Sequence, residues 1–151
     1  MCYQCWKTLH RSGHPISEKT NLLESLQRKF TRWLPGLRGK TYMERLKVTG
    51  LERLDVRRLR LDLLLTYKII FGLNCLELRD FFALSPVKST RGHAYKLFVS
   101  SACTDIKKYF FSTRVIAAWN NLPKNTNFKT LASFRLCLEN CDLSKYCVSL
   151  R

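Results

Sequence analysis

The sequence L-E-R-L-D-V-R-R-L-R-L-D-L-L-L-T-Y-K-I-I-F, from Leu51 to Phe71, decides the fold of this chain. Its apolar residues recur at spacings of three and four, which is typical of a helix with a buried stripe. That stripe consists of Val56, Leu59, Leu63, Tyr67 and Ile70. A second stripe, roughly opposite, consists of Leu61, Leu65 and Ile69. Because two apolar sides need neighbours on both, we predict a central helix that stops at Gly72.

The first half of this helix carries a ridge of three arginines, Arg53, Arg57 and Arg60. A further arginine, Arg58, is spaced to pair with Asp55 and Asp62 within the helix. We therefore expect part of the positive charge to be balanced internally and part to be offered outward.

A helix is also predicted before the central one, from about residue 21 to residue 33. Asn21 and Glu24 fit a capping box at its start. Its apolar stripe consists of Leu22, Leu26, Phe30 and Trp33. Its other face carries Gln27, Arg28, Lys29 and Arg32. Such a polar face is usually solvated, although a basic amphipathic helix also suits a nucleic-acid backbone.

The remaining segments favour short elements around the same core. Thr41 with Glu44 forms a second capping box, for a helix that Gly50 closes. Residues 76–82 indicate a brief helical turn. The alternation from residue 93 to residue 99 has the period of a strand, whose most suitable partner is the segment 106–111.

Two more helices are predicted toward the C-terminus. Ser112 can cap the first, on whose apolar face Trp119 is a core anchor rather than a base-stacking platform. Thr130 opens the second.

These elements predict a mainly α fold: a small helical bundle around a central helix near residues 51–71, with room for one β-hairpin near residues 93–111. We expect a poorly ordered leader over residues 1–20, a single helical domain over residues 21–140, and a frayed tail over residues 141–151.

Composition favours a polyanionic partner. Twenty-seven Lys and Arg against eleven Asp and Glu leave a net charge of +16. This charge favours nucleic acid as the partner over a membrane surface. No apolar run approaches the roughly 20 residues that span a bilayer, and no signal-peptide core occurs, so we expect an intracellular protein, nuclear or cytoplasmic. Seven cysteines are an odd number, and in a reducing compartment we expect free thiols.

The spacing C-x2-C-x4-H-x3-H is formed by Cys2, Cys5, His10 and His14. It is similar to the zinc knuckle C-x2-C-x4-H-x4-C, and two thiolates with two imidazoles suit tetrahedral zinc. The last ligand is nevertheless of another type and one residue early, and Cys2 lies at the chain end. We therefore prefer a frayed leader with chance Cys and His residues, and expect no cofactor; zinc is the alternative.

Three groups of residues carry a family resemblance. They are Glu44, Arg45, Leu46, Gly50 and Leu51 with Arg57 to Arg60, Asp62, Leu63 and Tyr67 to Ile69; T-R-G-H-A-Y-K-L from Thr90 to Leu97; and Y-F-F-S-T-R-V-I-A-A-W-N-N-L-P from Tyr109 to Pro123. Over residues 21 to about 134 they resemble the region downstream of the polymerase domain in jockey-like non-LTR retrotransposon reverse transcriptases. Thr113 departs from that family's usual Asn. The resemblance implies that the intact protein is an RNA-directed DNA polymerase of a mobile element.

The chain itself lacks the residues for nucleotidyl transfer, which needs carboxylates that hold two Mg²⁺ ions. The family it resembles uses a pair of adjacent aspartates in the polymerase palm, whereas the five aspartates here are scattered. No phosphate-binding glycine loop occurs. For Cys103 and His93 we prefer an inert thiol and a structural imidazole to a nucleophilic pair. We therefore expect no enzymatic activity from this chain alone.

Binding of RNA or DNA is the first functional hypothesis. The expected phosphate contacts are Arg53, Arg57, Arg60, Arg91, Lys96, Lys107, Lys108 and Arg114. Tyr95 and Tyr109 lie among the later ones, and basic side chains beside aromatics suit single-stranded RNA, although the same charges also keep a sheet edge soluble. The alternatives are a helical module that docks on a polymerase core or on itself, and a relic open reading frame without a selected role.

Overall fold

The computed structural model describes residues 16–86, 92–99 and 110–147, and five α-helices lie within these ranges. They are α1 (Ile16–Trp33), α2 (Tyr42–Thr49), α3 (Leu54–Ile70), α4 (Phe111–Asn120) and α5 (Leu131–Glu139). Short 3₁₀ turns occupy Leu78–Asp80 and Ser144–Tyr146. No strand occurs in these ranges, where one antiparallel bridge joins Leu84 and Leu97. The mainly α prediction is confirmed.

Helix α3 is central, because α1, α4 and α5 all pack against it. The first predicted stripe is buried from Val56 to Tyr67, with Ile70 half-buried. The second stripe is covered only near the end of the helix, since Ile69 is buried but Leu61 is 60% exposed. Neighbours on both sides are therefore present only around the last turns of α3.

The predicted helix ends are largely confirmed. Thr41 and Glu44 exchange both hydrogen bonds of a capping box, and Gly50 closes α2 in the left-handed conformation with φ of 66°. Gly72 follows α3 with φ of 64°, a conformation that side chains disfavour. Thr130 caps α5 by accepting a hydrogen bond from the Ser133 N–H. Ser112 is a correction, because α4 begins one residue earlier, at Phe111.

Aromatic rings from α3, α4 and α5 form the centre of the core. Trp119 and Phe134 are fully buried, and their ring centroids lie 5.6 Å apart. The Tyr67 ring stacks on Phe134 at 4.7 Å, and its hydroxyl donates to the Phe128 carbonyl at 2.9 Å. Trp119 is thus the core anchor that the sequence predicted.

Two predicted boundaries need correction. Helix α1 already begins at Ile16, so residues 16–20 belong to a helix and not to a leader. At the other end, Leu143 is 2% exposed and Cys147 packs against the core, so residues 141–147 are not a frayed tail. Leu143 and Cys147 find cover in the core that a local pattern does not show.

The predicted hairpin is also corrected where the structure describes it. Residues 96–98 pair with residues 83–85, through hydrogen bonds from Ser85 N to Lys96 O and from Phe98 N to Ala83 O. Of the expected partner segment 106–111, Phe111 is helical and residues 106–109 lie outside the described ranges.

Candidate nucleic-acid interface

The inward face of α1 is polar. Glu24, 9% exposed, accepts hydrogen bonds from the Tyr42 hydroxyl at 2.7 Å and from the Leu54 N–H at 3.0 Å. Leu54 is the first residue of α3, whose N–H groups lack partners within the helix, so this carboxylate caps α3 from another helix. Gln27 adds a bond to the Glu52 carbonyl at 3.0 Å. Polar contacts therefore anchor α1. The expected Asn21–Glu24 capping box is wrong, because the helix begins at Ile16 and the Glu24 carboxylate binds Tyr42 and Leu54 instead.

Tyr42 completes this contact between α1 and α2. Burial, followed by the hydrogen bond and the charge of Glu24, raises the pKa of the Tyr42 hydroxyl well above its ordinary value of 10.0. The phenol therefore stays protonated and keeps donating to the carboxylate. The Arg28 guanidinium lies 4.9 Å from the centre of the Tyr42 ring, a cation–π distance.

The apolar stripe of α1 faces solvent instead of the core. Trp33 is 80% exposed, and each of the other large apolar side chains on this side is more than half exposed. We call this set the α1 stripe: Leu22, Leu23, Leu26, Phe30 and Trp33. The sequence predicted the helix and four of these five residues, without Leu23, but an apolar spacing does not show that the stripe points outward.

Exposed cations concentrate on α1, α2 and the loop between them. We call them the N-terminal cationic surface: Lys29, Arg32, Arg38, Lys40 and Lys47. None of them makes an ion pair within the described residues. The segment 22–50 contains seven basic residues and two acidic ones, of which Glu24 is buried and Glu44 is held in the α2 capping box.

Two of the three predicted ridge arginines on α3 are engaged within the protein. Arg53 pairs with Asp55. Arg60 makes a bidentate ion pair with Glu52, in which Nη1 and Nη2 donate to the two carboxylate oxygens at 2.5 and 2.7 Å. Arg57 is exposed. The expectation of an outward ridge is therefore corrected to a single outward arginine.

Only part of the predicted basic edge around residues 91–114 lies within the described residues, and Arg114 there does not face outward as expected. Arg114 donates from Nε and Nη2 to Asp62 at 2.9 and 2.7 Å, so it ties α4 to α3. Lys96 is half-buried and His93 is buried. Arg91, Lys107, Lys108 and Tyr109 lie outside the described residues.

Arg58 lies in the same charged cluster. Burial and the nearby positive charge of Arg114 lower the pKa of the Arg58 guanidinium, while Asp62 opposes the shift. Asp62 thus partly compensates two half-buried cations, and Arg58, like Arg114, does not contribute to an outward basic surface.

Two of the stretches that carry the family resemblance, Thr90–Leu97 and Tyr109–Pro123, contact each other through their described residues; we call them the two signature runs. The His93 Nε2 atom lies 2.8 Å from the Trp119 carbonyl oxygen, and the Trp119 indole donates to the Tyr95 carbonyl at 2.6 Å. The Asn120 amide binds both the N–H and the carbonyl of Leu97 at 2.8 Å. These side chains hold residues 93–97 against α4, which is the structural role preferred for His93.

His93 makes stability depend on pH. Since a carbonyl only accepts, Nε2 must carry a proton, and the buried Nδ1 has no partner within the described residues. Burial lowers the pKa of His93 below its ordinary 6.5. The unfolded chain therefore binds the extra proton at a higher pH than the folded chain, so the free energy of unfolding should fall as the pH drops below 6.5 and level off below the folded pKa.

Urea denaturation at pH values on both sides of this transition measures the effect. His93→Gln keeps an N–H donor toward Trp119 without a titrating ring, and it should flatten the dependence. An equal loss of stability in this variant at low pH would assign the effect to other groups.

The structure offers no metal cluster in its described part. The candidate ligands Cys2, Cys5, His10 and His14 lie outside it, as does Cys103. Cys75, Cys137, Cys141 and Cys147 are free thiols, and burial raises the pKa of Cys147 to about 11. A thiol with that pKa is a poor nucleophile at neutral pH.

An open hollow of about 500 Å³ lies beside the end of α3. Ile69, Leu76 and Phe82 are among its apolar lining residues, and its two charged lining residues, Glu77 and Arg79, pair with each other at 2.8 Å. Such a lining offers no set of free polar groups for chemistry. Among the described helices, none has the length and apolar character to cross a membrane.

The geometry therefore offers binding surfaces: an outward apolar stripe, and a group of cations that no acidic side chain pairs with in the part of the chain that the structure describes. No protein-family profile, curated protein or solved structure matches this chain.

Proposed function

We propose that this chain is a non-catalytic module that binds the backbone of RNA or DNA through the N-terminal cationic surface. The observation that carries the proposal is the division of charge: acidic side chains engage arginines of α3 and α4, while the cations of α1, α2 and their loop make no ion pairs within the described residues. Phosphates are the natural counterions for such a group, because binding releases condensed cations from the nucleic acid.

Two exposed aromatic side chains favour a single strand over a duplex. Phe30 and Trp33 lie on the same side of α1 as Lys29 and next to Arg32 in sequence. Bases of a single strand can stack on such rings while the phosphates meet the cations, with little sequence preference.

We further propose that this module is the non-catalytic C-terminal region of a retrotransposon reverse transcriptase. This proposal is supported by the resemblance of the two signature runs, which in this chain form the hydrogen-bonded unit of His93, Tyr95, Leu97, Trp119 and Asn120. Those residues shape the module, and polymerization would be the task of another part of the intact protein, an RNA-directed DNA polymerase.

A salt titration of binding to fluorescent single-stranded RNA tests the proposal. We expect affinity to fall steeply with salt, and the triple substitution Arg32→Glu, Arg38→Glu and Lys40→Glu to weaken binding by about tenfold or more. The matched control is Lys124→Glu, Lys129→Glu and Lys145→Glu, which changes the net charge equally at three exposed lysines elsewhere. Equal losses in both triple variants would show that binding follows net charge and not this surface.

A further inference from the structure

The α1 stripe is a continuous surface and not a scatter of exposed side chains. At 100° per residue, its five members fall within an arc of about 100°. That arc lies opposite Glu24 and Thr31, the buried residues of the helix. From Leu22 to Trp33 the stripe runs for about three helical turns, or roughly 16 Å.

The two borders of the stripe differ in charge. Lys29 lies at one border of the stripe, Arg32 lies three residues on and further round the helix on the same side, and both are exposed. On the other border Gln27 is held by its hydrogen bond to the Glu52 carbonyl. The one acidic residue between positions 22 and 33 is Glu24, which is buried on the opposite side. The surface is thus apolar along its middle and cationic along one edge.

We propose that the α1 stripe docks an amphipathic helix of a partner protein, one whose apolar face is bordered on one side by Asp or Glu. A partner helix of about three turns can lie along the stripe and bury its apolar side chains, the usual arrangement of helix-in-groove recognition. Its acidic row would meet Lys29 and Arg32, and that complementarity fixes the direction and register of docking.

Charge is the reason to prefer this occupant. A second copy of the chain would bring an identical apolar stripe with no exposed acid between positions 22 and 33, and two chains of net charge +16 repel each other. A membrane-surface helix typically presents cations along the whole of its polar face, whereas here that face is packed against α2 and α3. Cations beside one apolar row therefore complement an amphipathic helix with acidic residues better than they complement a second copy of the chain or a membrane surface.

This inference goes beyond phosphate binding, and the leucines separate the two. A leucine can bury area against a partner helix but offers nothing to a phosphate and little to a base. Substitutions at Leu22 and Leu26 therefore address docking, while the charge reversals of the N-terminal cationic surface address RNA.

The test uses two synthetic amphipathic peptides of about 18 residues with identical leucine faces. One carries Glu along a border and the other Lys, and fluorescence anisotropy measures binding to the full chain. We expect the Glu peptide to bind at least about tenfold more tightly than the Lys peptide, and Leu22→Ser with Leu26→Ser to weaken it by about tenfold or more. RNA binding by this double variant should not change.

Leu136→Ser is the matched control, because Leu136 is 61% exposed and Leu22 is 63% exposed. Circular dichroism shows whether each variant keeps its helices. Equal binding of the two peptides, or no loss in the double variant, would overturn the proposal. So would self-association or binding to anionic vesicles that needs Leu22 and Leu26 while the Glu peptide does not bind. If RNA binding fails but the peptide results hold, docking stands without the proposed function.

Discussion

Replacing Trp119 by alanine should lower the free energy of unfolding by about 4 kcal/mol, as urea denaturation would show. The side chain has 0% exposure, and its ring lies 5.6 Å from Phe134 and 5.7 Å from Phe128. Alanine would leave a cavity at the junction of α3, α4 and α5, and it would remove the donor that satisfies the Tyr95 carbonyl. The effect should thus combine lost packing with a lost buried hydrogen bond.

Trp33→Ala is the matched control, because the same residue type is removed from a site that is 80% exposed. This variant should change stability by no more than about 0.5 kcal/mol. Trp119→Phe should fall between the two, since it keeps an aromatic ring but loses the bond to Tyr95. If Trp33→Ala destabilised the protein as much as Trp119→Ala, the outward orientation of the α1 stripe would be refuted.

The features predictable from the sequence are those that depend on near neighbours along the chain. The Thr41–Glu44 capping box joins residues three positions apart, and the stripe of α3 follows helical geometry alone. Both required only the residues of one helix, and both are correct. The identity of Trp119 as a core residue follows in the same way from its place on an apolar helical face.

The candidate site could not be predicted in this way, because its partners are distant in sequence. Glu24 was assigned to a local cap, but its carboxylate reaches Tyr42 and Leu54, which lie 18 and 30 positions away. Arg114 likewise finds Asp62 at a separation of 52 residues. Which cations stay free depends on such pairings, and so does the direction in which the apolar side of α1 points.

Glu24→Ala should have the second large effect, and a local one. The substitution removes the acceptor for the Tyr42 hydroxyl and for the first N–H of α3, and a charge-assisted hydrogen bond contributes about 1.5–3 kcal/mol. Hydrogen bonds of Glu24 to Tyr42 and Leu54, and of Gln27 to the Glu52 carbonyl, hold the inward face of α1. Without the Glu24 carboxylate, the opening free energy of α1 should therefore fall by about 3 kcal/mol. Native-state hydrogen exchange of the amides 22–33 measures that quantity.

The control for this substitution is Glu139→Ala, which removes a half-exposed carboxylate 3.6 Å from Arg135 and should change stability by less than about 0.5 kcal/mol. In Glu24→Ala, the amides of α4 and α5 should keep their protection, because their core around Trp119 and Phe134 does not involve α1. An equal loss of protection in those helices would show that α1 unfolds only together with the whole domain. If α1 opens alone, RNA binding and peptide docking should weaken together, since both proposed surfaces depend on the position of this helix.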